Sequence, residues 1–575
     1  MKVKCNIPNI YDNYSETLLQ YCGVDNVDYY INPDGAALSE PTLLNNIEKG
    51  YELYKRVCDS NGKILLIVDC DVDGYTSSAI FYQYTKLLYP NIQISYLLHK
   101  GKAHGLEDHI DWIEKNPVFD LVVCPDSSSN DFGYHERLKI LGIPCLVIDH
   151  HITDVEISDN AVVINNQLSP NYPNPDNTGA GLVYQFCRYL DTKYNVHYAD
   201  RFVDLAALGI DGDMGDLRNV ENRYILKKGF ANIQNFFFRV LIDKQSYSMG
   251  GTITPISVAF YIVPLINAMI RVGTHAEKER LFLAFVDGEQ MVTSNKRGAK
   301  GSLEMVAIES ARECTNARNH QNKFKEEMVL QLDQKIQEEG LLNNKILFVR
   351  LEDDMDFPPE LNGLVCMQLS AKYKKPTLLG RENRNGEIKG SIRGLSNSEL
   401  SDFRGFLTDT GLFEYVQGHP NAAGYCLLAN NYNSFIQYAN EALKDIDFNN
   451  NCYEVQFVRE GNAGDIEKII YDIASHEDLW GTGLPEPLFY IKNLKVRPSD
   501  VSIMGKNQDT IKIIYNGVSY LKFHAKDMIE ELSNYNEEFT LNIIGRGNVN
   551  EWMGRKSEQI FIESYEIKQS SILDF

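Results

Sequence analysis

Residues 64–74 read ILLIVDCDVDG: five apolar residues, then aspartates at 69, 71 and 73, then a glycine. A short run so rich in Ile, Leu and Val is a strand buried on both faces, which belongs inside a parallel sheet. Two more runs behave alike, DLVVC ahead of Asp126 in LVVCPDSSS and PCLVI ahead of Asp149, His150 and His151 in LVIDHH. A fourth cluster puts Asp213 in ALGIDGDMGDL. Groups that follow parallel strands gather at the carboxyl edge of the sheet. Asp71, Asp73, Asp126, Asp149, His150, His151 and Asp213 are therefore expected at one edge, where such a set can hold two divalent metals. Residues two apart on an extended chain point the same way, so Asp71 and Asp73 can bind one ion while Gly74 permits a tight turn. The same DxDG also suits an acidic turn or a helix N-cap. Of two consecutive histidines, one enters the site and the other turns aside, and the adjacent carboxylate can orient the ligand imidazole.

Outward from this stretch, strand-like and helix-like runs alternate from Ile64 to about Gly229, through SSAIFYQYTKLLY, IQISYLL, HERLKILG, AVVINN, GAGLVYQFCRYLDTKY and FVDLAALG. That alternation predicts an α/β domain with a doubly wound, mostly parallel sheet over residues 46–250, after a polar lead-in at 1–45. Residues 251–342 lose the alternation and read as a helical connector, with a basic loop at SNKRGAKGS and a helix from Leu303 to Glu339. A second α/β unit spans 343–450, from KILFVRLED through IKGSIRG to GHPNAAGYCLL. Short β-like segments over 451–568 predict a small barrel, and 569–575 form a tail.

At 575 residues the chain exceeds one hydrophobic core, and 43% hydrophobic with 23% charged residues is ordinary for a folded protein of two to four domains. The N-terminus lacks the apolar core of a signal peptide, and the apolar window PISVAFYIVPLINAMIRV is broken by Pro264, Asn267 and Arg271. The 11 cysteines are scattered without CxxC pairs, no structural zinc pattern is legible, and a reducing cytoplasm is expected. The net charge of −23 argues against a nucleic-acid partner on average. A two-metal nuclease must itself concentrate carboxylates, however, and a local basic channel can still hold DNA.

The DCDVDG, LVVCPD, DHH and ALGIDGD segments resemble motifs I to IV of the DHH phosphoesterases. VINNQLSPNYPNPDNTGAGLVYQF, YIVPLINAMIR, LNGLVCMQLSAKYKKP, KGSIRG and GHPNAAG resemble, in order and spacing, segments of the RecJ single-strand-specific exonucleases, and GNVNEWMGRKSEQIFIESYEI is similar to their OB-fold. The resemblance implies a DHH domain, a DHH-associated domain and an OB-like barrel. It also implies a 5′ to 3′ exonuclease on single-stranded DNA, the alternatives being a phosphodiesterase for short oligonucleotides or cyclic dinucleotides and a non-catalytic DNA-binding scaffold.

By the same resemblance Asp71, Asp73, Asp126, His150 and Asp213 would hold two Mn²⁺ or Mg²⁺ ions, Asp126 bridging, with His151 facing the scissile phosphate beside Asp149. Gly390, Ser391 and Arg393 in KGSIRG, with Gly418 and His419 in GHPNAAG, would grip phosphate, and Arg271 would be a further substrate contact. Lys296, Arg297 and Lys300 could touch the DNA backbone. Three departures stand out. Ile67 and Val68 offer no histidine upstream of the DxD pair, which leaves Asp69 as an orienting group or an extra ligand; Ser127 follows Asp126 where a glycine often comes shortly after; Asp211 and Asp216 flank Asp213. In the tail, Gln569, Ile572 and Phe575 are spaced as in peptides that dock into sliding clamps. Residue usage rich in Asn, Ile, Lys and Tyr fits an AT-rich bacterial or phage source.

Overall fold

Lys63–Val68 (β1) is buried from Ile64 onward, and its side chains alternate between two cores. Ile64, Leu66 and Val68 pack with Tyr75, Ile80, Leu182 and Phe186, whereas Leu65 and Ile67 pack with Ile110, Ile113 and Leu138. A strand with helices against both faces has no polar side, which is why the run is apolar without interruption. Gln93–Leu98 (β2), Leu121–Pro125 (β3), Cys145–Asp149 (β4) and Val162–Asn165 (β5) complete an all-parallel sheet of order β2-β1-β3-β4-β5.

The computed structural model describes residues 2–7, 10–101, 103–153, 158–352, 355–395, 398–448, 452–552 and 555–568. They form two units, Cys22–Gln321 with Asp478–Pro485, and Met1–Tyr21 with Asn322–Glu477 and Glu486–Phe575. Gln569, Ile572 and Phe575, read as a clamp-docking tail, lie outside the described residues.

In the first unit, β1 leads into Val72–Leu88 (α1), and Gly179–Tyr194 (α2) and Val203–Gly212 (α3) pack on it. FVDLAALG, placed in a strand and helix alternation, is thus the body of a helix. It is buried on every side from Val203 to Ile210, so it shows no amphipathic period that would separate helix from strand. PISVAFYIVPLINAMIRV forms Pro255–Tyr261 (α4) and Val263–Val272 (α5); this 18-residue window is apolar enough to cross a membrane, yet 56% of it is buried within the protein. SNKRGAKGS lies in a hairpin between Met291–Thr293 and Leu303–Met305, and Val306–Glu338 (α6) runs for 33 residues. The division between units falls inside α6, so much of the expected connector belongs to the first unit. A segment expected in the barrel belongs there too: Asp478 holds the buried guanidinium of Arg223 through its backbone oxygen and carboxylate.

In the second unit, Leu347–Leu351 (β6), Thr377–Glu382 (β7), Glu387–Arg393 (β8), Phe413–His419 (β9) and Ala422–Leu428 (β10) form a sheet of order β9-β10-β8-β7-β6, antiparallel except for β6 with β7. The C-terminal sheet has seven strands, dominated by a hairpin of two 14-residue strands, Phe539–Trp552 and Arg555–Lys568. Residues 1–45 are no featureless lead-in. Lys2–Lys4 pairs with Cys452–Glu454, and Ser15 in the helix Tyr14–Tyr21 bonds Asp472; non-local pairing of this kind leaves no local pattern.

Leu66→Ala is expected to remove about 2–5 kcal/mol from the unfolding transition of the first unit, because the sheet cannot collapse around the lost volume. Urea unfolding measures it, and an unchanged midpoint would contradict the two-core description.

Candidate metal centre

β1 ends at Val68, and Asp69 is buried just beyond it. Asp71 is the N-cap of α1 and accepts the Gly74 N–H at 2.9 Å, while Asp73 sits in the first turn. The start of the helix replaces strand alternation with helical rotation, so Asp71 and Asp73 do not point the same way into one group. Asp71 gathers with Asp69 and Asp126, and Asp73 with His150 and Asp213, the ligand atoms of each set lying within 4.8 Å of one another. Asp73 is gripped by the start of α2, accepting the Thr178 hydroxyl at 2.9 Å, the Gly179 N–H at 2.6 Å and the Ala180 N–H at 2.9 Å. The positive end of a helix is a suitable seat for a buried carboxylate.

Asp126 follows β3 with φ +65°, and Ser128 takes φ +80°, the left-handed conformation for which a glycine is often used. Asp126 Oδ1 is buried and accepts no hydrogen bond among the described residues. Around His150 Nε2 stand Asp126 Oδ1 at 3.1 Å, Asp213 Oδ2 at 3.4 Å and Asp73 Oδ2 at 4.0 Å. Oxygen and imidazole donors a little over 3 Å apart are spaced as ligands around a divalent ion, whose bonds are each roughly 2.0–2.2 Å. Without a cation this grouping is costly. Burial, then neighbouring Asp73 and Asp71, push Asp126 well above the carboxylate range, and the same causes push Asp213 up to about 8.

His151 turns away from this set. Its Nδ1 lies 2.7 Å from Asp149 Oδ1, and Asp149 also accepts the N–H groups of Ser129 (2.9 Å), His150 (2.8 Å) and His151 (3.2 Å). Burial alone would raise Asp149 and lower His151. The hydrogen bonds prevail, holding Asp149 below the usual range and raising His151 to about 9. Asn165 at the end of β5 locks this loop by donating to Ser129 Oγ at 2.9 Å and to the His151 carbonyl at 3.0 Å.

Asp213 caps the carboxyl end of α3, not a strand. Asp216 is taken up by Arg218 through contacts of 2.9 and 3.1 Å, which leaves Asp213 as the residue of motif IV facing His150. Asp69 has its own partner, His104, whose Nδ1 lies 2.6 Å from Asp69 Oδ2. Neither His104 nor the Thr178, Gly179 and Ala180 cradle emerges from the sequence as a functional element. NTGAG carries a visible signal, a hydroxyl followed by small residues at a helix start, but His104 lies 35 residues from Asp69 with nothing to mark it.

Arg271 lies in the last turn of α5, and Lys296, Arg297 and Lys300 are exposed in the hairpin loop. In the second unit the strand register aligns Arg393 of β8, Ala422 of β10 and His419 of β9 in one row, and Ser391 and Gly390 pair with Gly424 and Tyr425. Gly418 has φ +134° and is exposed with His419, and GHPNAAG lies in the β9–β10 hairpin. Arg393 donates to the Ile392 carbonyl at 2.7 Å and pairs with no carboxylate among the described residues.

Residues 63–210 match the DHH family, N-terminal domain, and residues 462–564 match the RecJ OB domain. An SPbeta prophage-derived protein of Bacillus subtilis strain 168, YorK, named as a candidate single-strand DNA-specific exonuclease, is 36% identical over 559 residues, covering 96% of this chain and 95% of its own length. The chain belongs to the RecJ-like branch of the DHH family. The single-stranded-DNA-specific exonuclease RecJ of B. subtilis is 22% identical over 552 residues, 95% of this chain and 66% of its own. The crystal structure of RecJ from Thermus thermophilus in complex with Mn²⁺ shares the fold, with TM-score 0.74 at 18% identity over 98% of this chain and 79% of that one. The RecJ-like chain therefore has a DHH domain with a parallel sheet and an OB domain.

A Cβ on Gly179 would fall 2.4 Å from Asp126 Cβ and 2.6 Å from its Oδ1. Gly179→Ala is expected to displace Asp126 and weaken Mn²⁺ binding by at least roughly tenfold while leaving the chain folded. Calorimetric titration with Mn²⁺ reads this; unchanged affinity would separate Asp126 from cation binding.

Proposed function

We propose that this chain is a divalent-metal-dependent exonuclease that removes nucleotides from the 5′ end of single-stranded DNA. The observation that carries the reading is the ring of Asp126, Asp213 and Asp73 oxygens around His150 Nε2, at 3.1, 3.4 and 4.0 Å, in a RecJ-like fold. Asp71, Asp73, Asp126, His150 and Asp213 would hold two ions, with Asp69 beside them. Solved RecJ structures from T. thermophilus in complex with Mn²⁺ and with Mg²⁺ have the same fold, which supports those two metals. When bound, such a pair supplies a hydroxide from water and stabilises the attacking and leaving oxygens of an in-line attack on phosphorus.

The residues of the chain do the rest. The start of α2 fixes Asp73 so that its carboxylate cannot swing away, and Gly179 leaves room for Asp126 beside it. Asp149 accepts a hydrogen bond from His151 Nδ1 and so favours the charged imidazolium form. That imidazolium, half exposed at 50%, would meet the scissile phosphate. Arg393, Ser391, Gly390, Gly418 and His419 would hold a second phosphate, the guanidinium by bidentate pairing and the glycines by letting backbone N–H groups come close. The OB domain would extend the grip along single-stranded substrate, by stacking and backbone contacts.

With Mn²⁺, labelled single-stranded DNA is expected to be digested from the 5′ end. A 5′ block stops digestion, a 3′ block does not, a chelator abolishes it, and duplex is spared. Asp73→Ala and His150→Ala each cost at least about a hundredfold in rate. Variants as active as the wild type would remove the site assignment, and digestion surviving a 5′ block would remove the polarity. Arg393→Ala is expected to raise KM for single strands more than it lowers kcat, as measured by steady-state kinetics on oligonucleotides of graded length.

A further inference from the structure

One wall of the metal centre carries donors of a different chemistry. Cys70, between Asp69 and Asp71 in sequence, is partly exposed, and its Sγ lies 3.8 and 3.9 Å from the ring nitrogens of His104. His104 Nδ1 is in turn 2.6 Å from Asp69 Oδ2. One sulfur, one imidazole nitrogen and one carboxylate oxygen from these residues lie within 4.8 Å of one another. A second, independent feature points at the same place. His99, its side chain 0% exposed, directs Nε2 toward Asp69 Oδ1 from 3.7 Å, with Nδ1 3.6 Å from Asp108 Oδ2, and neither ring nitrogen has a hydrogen-bond partner among the described residues. A fully buried imidazole with no close hydrogen bond at either nitrogen is costly.

We propose that Cys70, His104 and Asp69 form a separate cation site that takes a thiophilic divalent ion, above all Zn²⁺, and that its occupancy shuts the nuclease centre down. Thiolate, imidazole and carboxylate are ordinary Zn²⁺ donors, and three protein ligands leave a fourth position for water. The sulfur discriminates against Mn²⁺ and Mg²⁺, which prefer oxygen. Binding releases the Cys70 thiol proton to solvent. Asp69 also stands with Asp71 and Asp126, so an ion that draws it toward Cys70 withdraws an oxygen from that group. The binding half stands without the nuclease reading; the inhibition half rests on it.

Titration of the full-length, Mn²⁺-loaded protein with Cd²⁺, read by thiolate-to-metal charge-transfer absorption, separates the halves. Cys70→Ser is expected to lose about one equivalent of the wild-type band, and Asp73→Ala to keep it. Zn²⁺ is expected to inhibit digestion by the wild type, and Cys70→Ser, with ordinary Mn²⁺ activity, to need roughly ten to a hundred times more. A band undiminished in Cys70→Ser overturns the site. A lost band with unchanged Zn²⁺ inhibition overturns the inhibitory role. A Cys70-dependent band in a wild type that digests no DNA supports the site and counts against the nuclease reading alone.

Discussion

The first unit is organised around the mutual repulsion of carboxylates in a place with little water. Asp69, Asp73, Asp126 and Asp149 are all at or below 1% exposure, and unpaired buried charges are far too costly for a domain of ordinary stability. Each is met by a different device. Asp149 takes hydrogen bonds from three backbone N–H groups and an imidazole, Asp73 takes the amino end of α2, and Asp69 takes His104. Asp126 has His150 Nε2 3.1 Å from Oδ1 but no hydrogen bond at that oxygen among the described residues, and Asp69 and Asp71 stand close by, so its charge is the least compensated of the four.

That constraint explains details that stability alone would not select. Asp126 and Ser128, two residues apart, hold left-handed backbone conformations, at a cost of the order of 1–3 kcal/mol each, because the surrounding sheet and α2 over-determine the loop. Gly179 and Gly74 sit where the chain passes within van der Waals contact of Asp126 and Asp69. Close approach of backbone to carboxylate keeps these acidic side chains rigid, which is the preorganisation that the proposed metal binding would need.

Much of this was legible in sequence, and for a local reason. A strand buried on both faces must be apolar throughout, so the polar residue that ends it stands out; Asp126 and the Asp149–His150–His151 triplet are visible on that ground. Asp213 was legible as a residue but not as a helix cap, because a helix buried all round has the same composition as a buried strand. That Asp71 and Asp73 fall in different groups of donors turned on a helix starting at Val72, which strand alternation does not foresee.

What the sequence by itself determined is the α/β alternation, a mostly parallel first sheet and the identity of most acidic groups at its carboxyl edge, since these follow from burial and period within short windows. Only the tertiary structure decided which oxygens stand together, that His104 and His99 come to Asp69, that α2 holds Asp73, and that Asp478–Pro485 packs with the first unit while Met1–Tyr21 belongs to the second. Each of these joins residues tens to hundreds of positions apart, and the chain carries no local signature for a contact whose energy is realised only once distant elements have been brought into register.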